Sequence, residues 1–313
     1  MPRASMFCCV LTLVAVGIPA VASAQVVPGT GTKLDLADDF EAEDWEYYPQ
    51  LPKASSNIDK QDRQPAGYSK NNRWYESTYR GTPDFVKRVA TPAGGLPGSK
   101  GALALQTLNS GVPSRFSNTF QQDDFMTNMT TVGSLLVSRT PSIVVRVYLP
   151  PFEEWEKRTG STFGVRADCQ TTINKPAPRG RFFRSAGSSR EVESYWPGMF
   201  IQFNSKADRP VQEDSAMILI RSGTRGEDIS GPTITKPGWW TLGMSFTPDG
   251  RVHYYASEGV DDLTAADRLL SVLPYDFRAE QVNTFFFNIV NQDDGRTWST
   301  RWIIDDPAIY VLR

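Results

Sequence analysis

One histidine stands in the whole chain, His253, and Tyr255 follows two residues later. On an extended strand that spacing puts both side chains on one face, where an imidazole titrating near neutrality and a phenol can serve as base and acid. Other stretches repeat the pattern of an apolar phase with polar residues in the opposite phase: Arg146 and Tyr148, Arg166 and Asp168, Gln202 and Asn204, Arg221, and Asn288. If these strands were neighbours in one sheet, the polar groups would line a single surface. Three arginines, a glutamine, a histidine and a tyrosine would suit a carboxylated sugar chain, because guanidinium forks pair bidentately with carboxylates. The plain alternative is the solvated side of an antiparallel sheet, which alternates in the same way. Arg, Gln, Asn and His outnumber the Lys, Glu and Thr that cover a passive face.

Acidic residues form two further groups. Asp38 and Asp39 lie near the start of the chain and Asp305 and Asp306 near its end. If first and last strands pair, the four carboxylates approach one another and a structural Ca²⁺ is one way to hold them; turn and strand-end capping is the other. Glu191 and Glu193 share one side of an extended segment, the only spacing suggestive of paired-carboxyl glycoside hydrolysis, but they border Tyr195-Trp196-Pro197-Gly198 and read as charged loop residues. Exposed aromatics are a third route to sugar binding. Trp45, Tyr47, Tyr48, Trp74, Tyr75, Tyr79, Trp196 and Trp239 are the candidates, set against the commoner use of such rings to cap a core.

The elements that would position these groups are strands. Trp239 to Glu258 reads as a hairpin: Trp240, Leu242, Met244 and Phe246 alternate with polar or small residues, Pro248-Asp249-Gly250 makes the turn, and Val252, Tyr254 and Ala256 resume the apolar phase. Ser142 to Leu149 is rich in β-branched residues and is stopped by Pro150-Pro151. Further strands are expected at 34–41, 84–90, 102–108, 162–171, 198–204, 216–221, 284–291 and 302–312. Residues 116–129 read as irregular, 175–190 as a basic loop, 152–158 as a helical turn or two, and Leu263 to Leu270 as a short surface helix. Residues 43–83 hold seven aromatics without a sustained period and read as a long ordered insertion. About ten strands and few helices imply an all-β fold, an antiparallel β-sandwich of jelly-roll type with long loop insertions and short surface helices.

The first 24 residues carry a basic Arg3, an apolar run from Met6 and Ala22-Ser23-Ala24, the pattern of a cleaved secretory signal; residues 25–33 follow as a linker and 34–313 as one domain. The apolar run is shorter than a membrane span needs, so no transmembrane segment is expected after cleavage. Cys169 is then the one remaining cysteine, which excludes an internal disulfide and suits a small buried hydrophobe. A net charge of −2 supplies no excess of cations for phosphates and argues against a nucleic-acid partner.

Asp38-Asp39-Phe40-Glu41, the Trp239 to Ser257 hairpin and Ile304-Asp305-Asp306-Pro307-Ala308-Ile309-Tyr310 together resemble the concanavalin A-like lectin and glucanase jelly rolls. The resemblance implies a sheet whose first strand pairs with its last and a surface that binds, hydrolyses or eliminates polysaccharides. The chain order Arg166, Gln202, His253, Tyr255 also resembles the constellation of jelly-roll alginate lyases. It would make Arg166 and Gln202 the groups that neutralise a uronate carboxylate, His253 the base and Tyr255 the acid, although the family's Gln and His stand two apart on one strand whereas residue 204 here is Asn204. The expectation is a secreted polysaccharide-binding sandwich with a glycan partner. A lyase acting on an acidic glycan is the enzymatic rival, and a structural envelope or matrix protein the third alternative.

Overall fold

The computed structural model of the protein describes residues 26–36, 38–61, 63, 67–176 and 188–312. The expected signal segment and most of the basic loop lie outside these residues. The described strands form two sheets packed face to face, with every pairing antiparallel. The eight-stranded sheet runs in the order Arg268–Val272, Val252–Glu258, Gly238–Phe246, Ser142–Leu149, Trp302–Val311, Gly101–Gln106, Phe85–Ala90, and Thr32–Lys33 pairs with Trp302–Val311. The eleven-stranded sheet runs Asp228–Ile234, Ser215–Arg221, Gly198–Asn204, Gly160–Pro176, Gln281–Asn291, Gln121–Thr127, Trp74–Glu76, Tyr68–Ser69, Tyr47–Tyr48; Ser188–Tyr195 and Leu135–Leu136 join it off this path.

Alternation fixes what each sheet buries. Val145 and Val147, Leu242 and Met244, and Ile304 face inward from one sheet, and Phe163 and Val165, Met199 and Ile201, and Phe285 and Phe287 face them from the other. Trp302 anchors the middle, with ring centroids 4.9 Å from Trp155 and 5.0 Å from Phe163. Cys169 is buried in this core as a free thiol.

The hairpin forms in the expected register, Phe246 opposite Val252 and Ser245 opposite His253. Gly250 takes φ +81° in its turn, which an L side chain adopts only with strain, and its N–H donates to Thr247 O at 2.8 Å. The first strand does pair with the last, but at Thr32 and Lys33 rather than across 34–41; Phe40 sits at φ +54° and ends any regular ladder there.

Three expectations fail locally. Residues 43–83 are not a strandless insertion: Tyr47–Tyr48, Tyr68–Ser69 and Trp74–Glu76 extend the eleven-stranded sheet. Residues 116–129 contain the strand Gln121–Thr127, hidden because Asp123 and Asp124 fall on opposite faces and blur the apolar phase. Within 263–270 only Ala265–Asp267 forms a helical turn, capped by Thr264, and Arg268–Val272 then pairs with Val252–Glu258 because Leu269 and Leu270 pack on the core.

The outer side of the eight-stranded sheet is covered by the first described residues. Ser245 Oγ donates to Val26 O at 2.6 Å, and Val27 packs on a small cluster of Val144, Tyr255, Leu263 and Ala308.

Candidate functional site

The structure divides the sequence-derived residues between the two sheets. His253, Tyr255, Arg146 and Tyr148 lie on the outer face of the eight-stranded sheet, and Arg166, Gln202, Asn204, Arg221 and Asn288 on the outer face of the other. The whole core lies between them, so Arg166, Gln202, His253 and Tyr255 do not meet at one substrate position. A two-residue period tells which side of a strand faces away from the core but not which sheet the strand joins.

His253 and Tyr255 are buried; Tyr255 lies in the cluster on which Val27 packs, and His253 stands opposite Ser245, whose hydroxyl donates to Val26 O. His253 Nε2 lies 2.9 Å from Thr247 Oγ1, and burial holds the imidazole below its usual range. Arg146 is buried and clamps the loop behind it, with Nη2 2.6 Å from Asp262 Oδ1 and Nη1 3.3 Å from Asp306 Oδ2. Tyr148 packs its ring 5.5 Å from Trp239.

The four aspartates offered for Ca²⁺ each take donors from the protein. Asp38 accepts from Trp45 Nε1, Trp74 Nε1, Asn71 Nδ2 and the N–H of Phe40. Asp39 accepts from the N–H of Glu41, Asp305 from Ser99, and Asp306 takes Lys33 and Arg146. Among the described residues, no three or more His, Cys, Asp or Glu side chains cluster as a metal-ligand set. Glu191 and Glu193 lie on the strand Ser188–Tyr195 and share Lys175 at 3.0 and 3.2 Å, a surface ion pair.

The outer face of the eleven-stranded sheet is the notable surface. Strand register lines up Tyr48, Tyr68, Tyr75, Met126, Phe286 and Arg166 in one row across six strands. Five strand spacings make this row about 24 Å long. Tyr68 is exposed, Tyr48, Tyr75, Met126 and Arg166 are half-buried, and Phe286 is buried at the inner end. The Arg166 guanidinium lies between the rings of Phe200 at 5.3 Å and Phe286 at 5.5 Å, and its Nη2 donates to Trp196 O at 2.8 Å. Gly198 makes room for it, since a Cβ there would stand 2.6 Å from Arg166 Cγ. Arg221 also rests on Phe200, at 5.0 Å, but is held bidentately by Asp228 at 2.8 and 3.0 Å. Trp196 is exposed beside this group.

One row along, Asp124 stands opposite Asn288, whose Nδ2 donates to Asp124 Oδ1 at 2.6 Å, and Gln122 Nε2 donates to the same oxygen at 2.8 Å. Gly164 leaves the space that Phe200 and Asn288 fill. Gln202 Nε2 donates to Asn204 Oδ1 at 3.0 Å. These side chains point away from the core, yet Asp124 is 6% exposed and Asn288 0%, so the face is recessed. Burial raises the Asp124 and Asp168 carboxyls above their usual range and lowers Arg166 to about 10, with the Asp124 charge opposing that fall. Arg166 Nε, Asp168 Oδ1 and Asn288 Oδ1 are buried with no hydrogen-bond partner, a donor and two acceptors on one surface.

The arrangement can hold a polar ligand but not hydrolyse one by paired carboxyls. Asp124 and Asp168 are two strands and four residues apart, roughly 16 Å, beyond the 5 to 9.5 Å that glycoside hydrolysis uses. A cavity of about 480 Å³ at the end of the sandwich, lined by Trp155, Glu156, Arg158 and the exposed Trp298, is a weaker candidate. Glu156 accepts from Arg158 Nε at 2.8 Å and the Gln292 N–H at 2.9 Å, while Arg158 donates to Ser161 O and Val290 O, so these charges hold the fold together.

Asp124, Phe200, Phe286, Met126 and Tyr68 are absent from the sequence-derived set. For Asp124, Met126, Phe200 and Phe286 a signal was present, since each stands one residue from a core side chain, but apolar or acidic residues in an outward phase do not stand out until register is known. Of the aromatic candidates, Trp45, Tyr47, Trp74 and Trp239 are buried, Tyr48 and Tyr75 belong to the row, and Tyr79 and Trp196 are exposed.

No protein-family model matches the chain, and no curated protein sequence matches it. Among solved structures, the protein is similar to an alginate lyase from Pseudomonas aeruginosa, with TM-score 0.35 and 8% identity, covering 74% of this chain and 84% of that one. Winged bean acidic lectin gives TM-score 0.35 and 11% identity, covering 72% and 90%. The binding domain of a paraclostridial mosquitocidal protein gives TM-score 0.34 and 8% identity; 77% of this chain matches 44% of that one. These similarities are loose and extend only to the layout of strands.

Proposed function

We propose that the protein is a secreted glycan-binding β-sandwich that lays an extended, acidic polysaccharide chain across the outer face of its eleven-stranded sheet. The observation that carries this reading is the row of three tyrosines, Met126 and Phe286 ending at Arg166. Rings flanking a shallow track offer apolar faces for sugar rings, and the stacked guanidinium offers a planar donor for a carboxylate. The unpartnered Arg166 Nε and Asn288 Oδ1 supply a donor and an acceptor of the kind that hydroxyl-rich ligands satisfy. The row crosses several strands, which suits a polymer better than a monosaccharide.

Binding is favoured over elimination because no imidazole faces Arg166: His253, the chain's one histidine, is buried on the other sheet. Affinity electrophoresis against a panel of uronate and neutral polysaccharides tests the reading, with ultraviolet absorbance of unsaturated product followed in the same samples. Retardation by uronate polymers without absorbance change is the expected result. Absorbance growth would establish a lyase, and no retardation by any polymer would leave a structural role.

A further inference from the structure

A second group of reactive side chains lies inside the sandwich, away from the sheet face. Lys53 is 5% exposed and Asp123, on the inward phase of Gln121–Thr127, is 0% exposed. Lys53 Nζ stands 2.6 Å from Asp123 Oδ2 and 3.1 Å from Asp84 Oδ1. Nζ is therefore no more than one C–O bond, about 1.2 Å, further from Asp123 Cγ. The Thr107 hydroxyl sits between Asp123 Oδ2 and Asp84 Oδ2. The N–H groups of Leu108 and Asn109 fix that second carboxylate at 2.8 and 2.7 Å. Asp123 Oδ1 has no partner.

A buried lysine and aspartate stabilise a fold little more than apolar residues of the same volume would, so two acids converging on one dry amine call for another account. Burial pushes the Asp123 carboxyl up to about 8, with Lys53 opposing, so its protonated form is accessible near neutrality. Desolvation disfavours the Lys53 ammonium, but Asp123 and Asp84 outweigh it and hold the amine above its usual range. The neutral amine and neutral acid that condense are therefore reached only by proton transfer from Lys53 to the carboxylate beside it. The two groups are held within reacting distance, where a bimolecular step becomes intramolecular.

We propose that Lys53 Nζ and Asp123 Cγ join in an intramolecular isopeptide amide, with Asp84 carrying the proton. The amine nitrogen forms a bond to Cγ and gives a proton to Asp84. Asp84 returns it to one oxygen of the tetrahedral centre, the C–O bond breaks, and one water leaves. The product is an amide, nothing is oxidised or reduced, and Asp84 is regenerated. The bond would close a covalent loop from residue 53 to residue 123 and tie the tyrosine-bearing segment to the sheet, whatever ligand that segment binds.

Peptide mapping and intact mass of the purified wild-type protein, after its N-terminus has been determined, test this without any variant having to fold. The expected result is a mass lower by one water, a linked peptide pair containing Lys53 and Asp123, and full mass in Asp84→Ala, which keeps both partners. Wild-type protein at full mass, with Lys53 and Asp123 on separate peptides, overturns the crosslink. A crosslink that still forms in Asp84→Ala overturns the role of Asp84.

Discussion

Arg166 concentrates the features of a binding residue: a guanidinium over two aromatic rings, one hydrogen bond to a backbone carbonyl, and a buried Nε with no partner. Arg166→Ala should weaken uronate binding by about tenfold or more. Arg166→Lys should recover only part of that, because a point charge cannot stack or fork; titration calorimetry of both variants reads the difference. His253 has a different role. Burial holds its imidazole below the ordinary 6.5, so below that pH the unfolded chain takes up a proton that the folded chain resists. Its contribution to stability is present above 6.5 and is lost as pH falls toward the folded value. The wild-type melting temperature should therefore fall relative to His253→Gln between about pH 7.5 and pH 5. A constant difference between the two proteins would show that His253 does not titrate in that window. The sequence marked both residues as unusual, and nothing in it could tell an exposed polar phase from one roofed by the chain's own N-terminal segment.

Ser142–Leu149 was legible from its β-branched content, and the hairpin of Gly238–Phe246 with Val252–Glu258 from its alternation and turn chemistry. Gln121–Thr127 was not, with an acid on each face, nor were the two- and three-residue strands at 47–48, 68–69 and 74–76, too short to show a period. Trp74 explains how so irregular a stretch holds its place. Its ring stacks 4.7 Å from Phe125 and its Nε1 donates to Asp38 Oδ2 at 2.9 Å, joining the segment to the core and to the chain's start. Trp74→Phe keeps an aromatic ring and removes the donor, and should cost about 1 to 3 kcal/mol in denaturant unfolding. The covering segment has a similar duty on the opposite sheet. Removing residues 26–31 uncovers Val144, Tyr255 and Ala308 and should lower stability by about 2 to 4 kcal/mol while leaving glycan binding unchanged. Equal loss of binding and stability would instead link the two faces.

For the whole molecule, the sequence supported the sandwich, the antiparallel pairing and the contact of first with last strand, but not the distribution of strands between sheets. Six of the ten polar candidates, Asp168 beside Arg166 among them, share a face with each other and four lie across the core from them. Register, a long-range property, also assembled the row from Tyr48 to Arg166, whose members are scattered from residue 48 to residue 286. A site of that shape makes a demand that depends on ligand length. Titration calorimetry with uronate oligosaccharides of increasing length is the most direct test of the central claim, run on wild type, Arg166→Ala and the opposite-sheet control His253→Gln. Affinity should rise with length until the roughly 24 Å row is spanned and then level off. It should collapse in Arg166→Ala and hold in His253→Gln. Affinity independent of length, or lost in His253→Gln while Arg166→Ala binds normally, would contradict a glycan track on the eleven-stranded sheet.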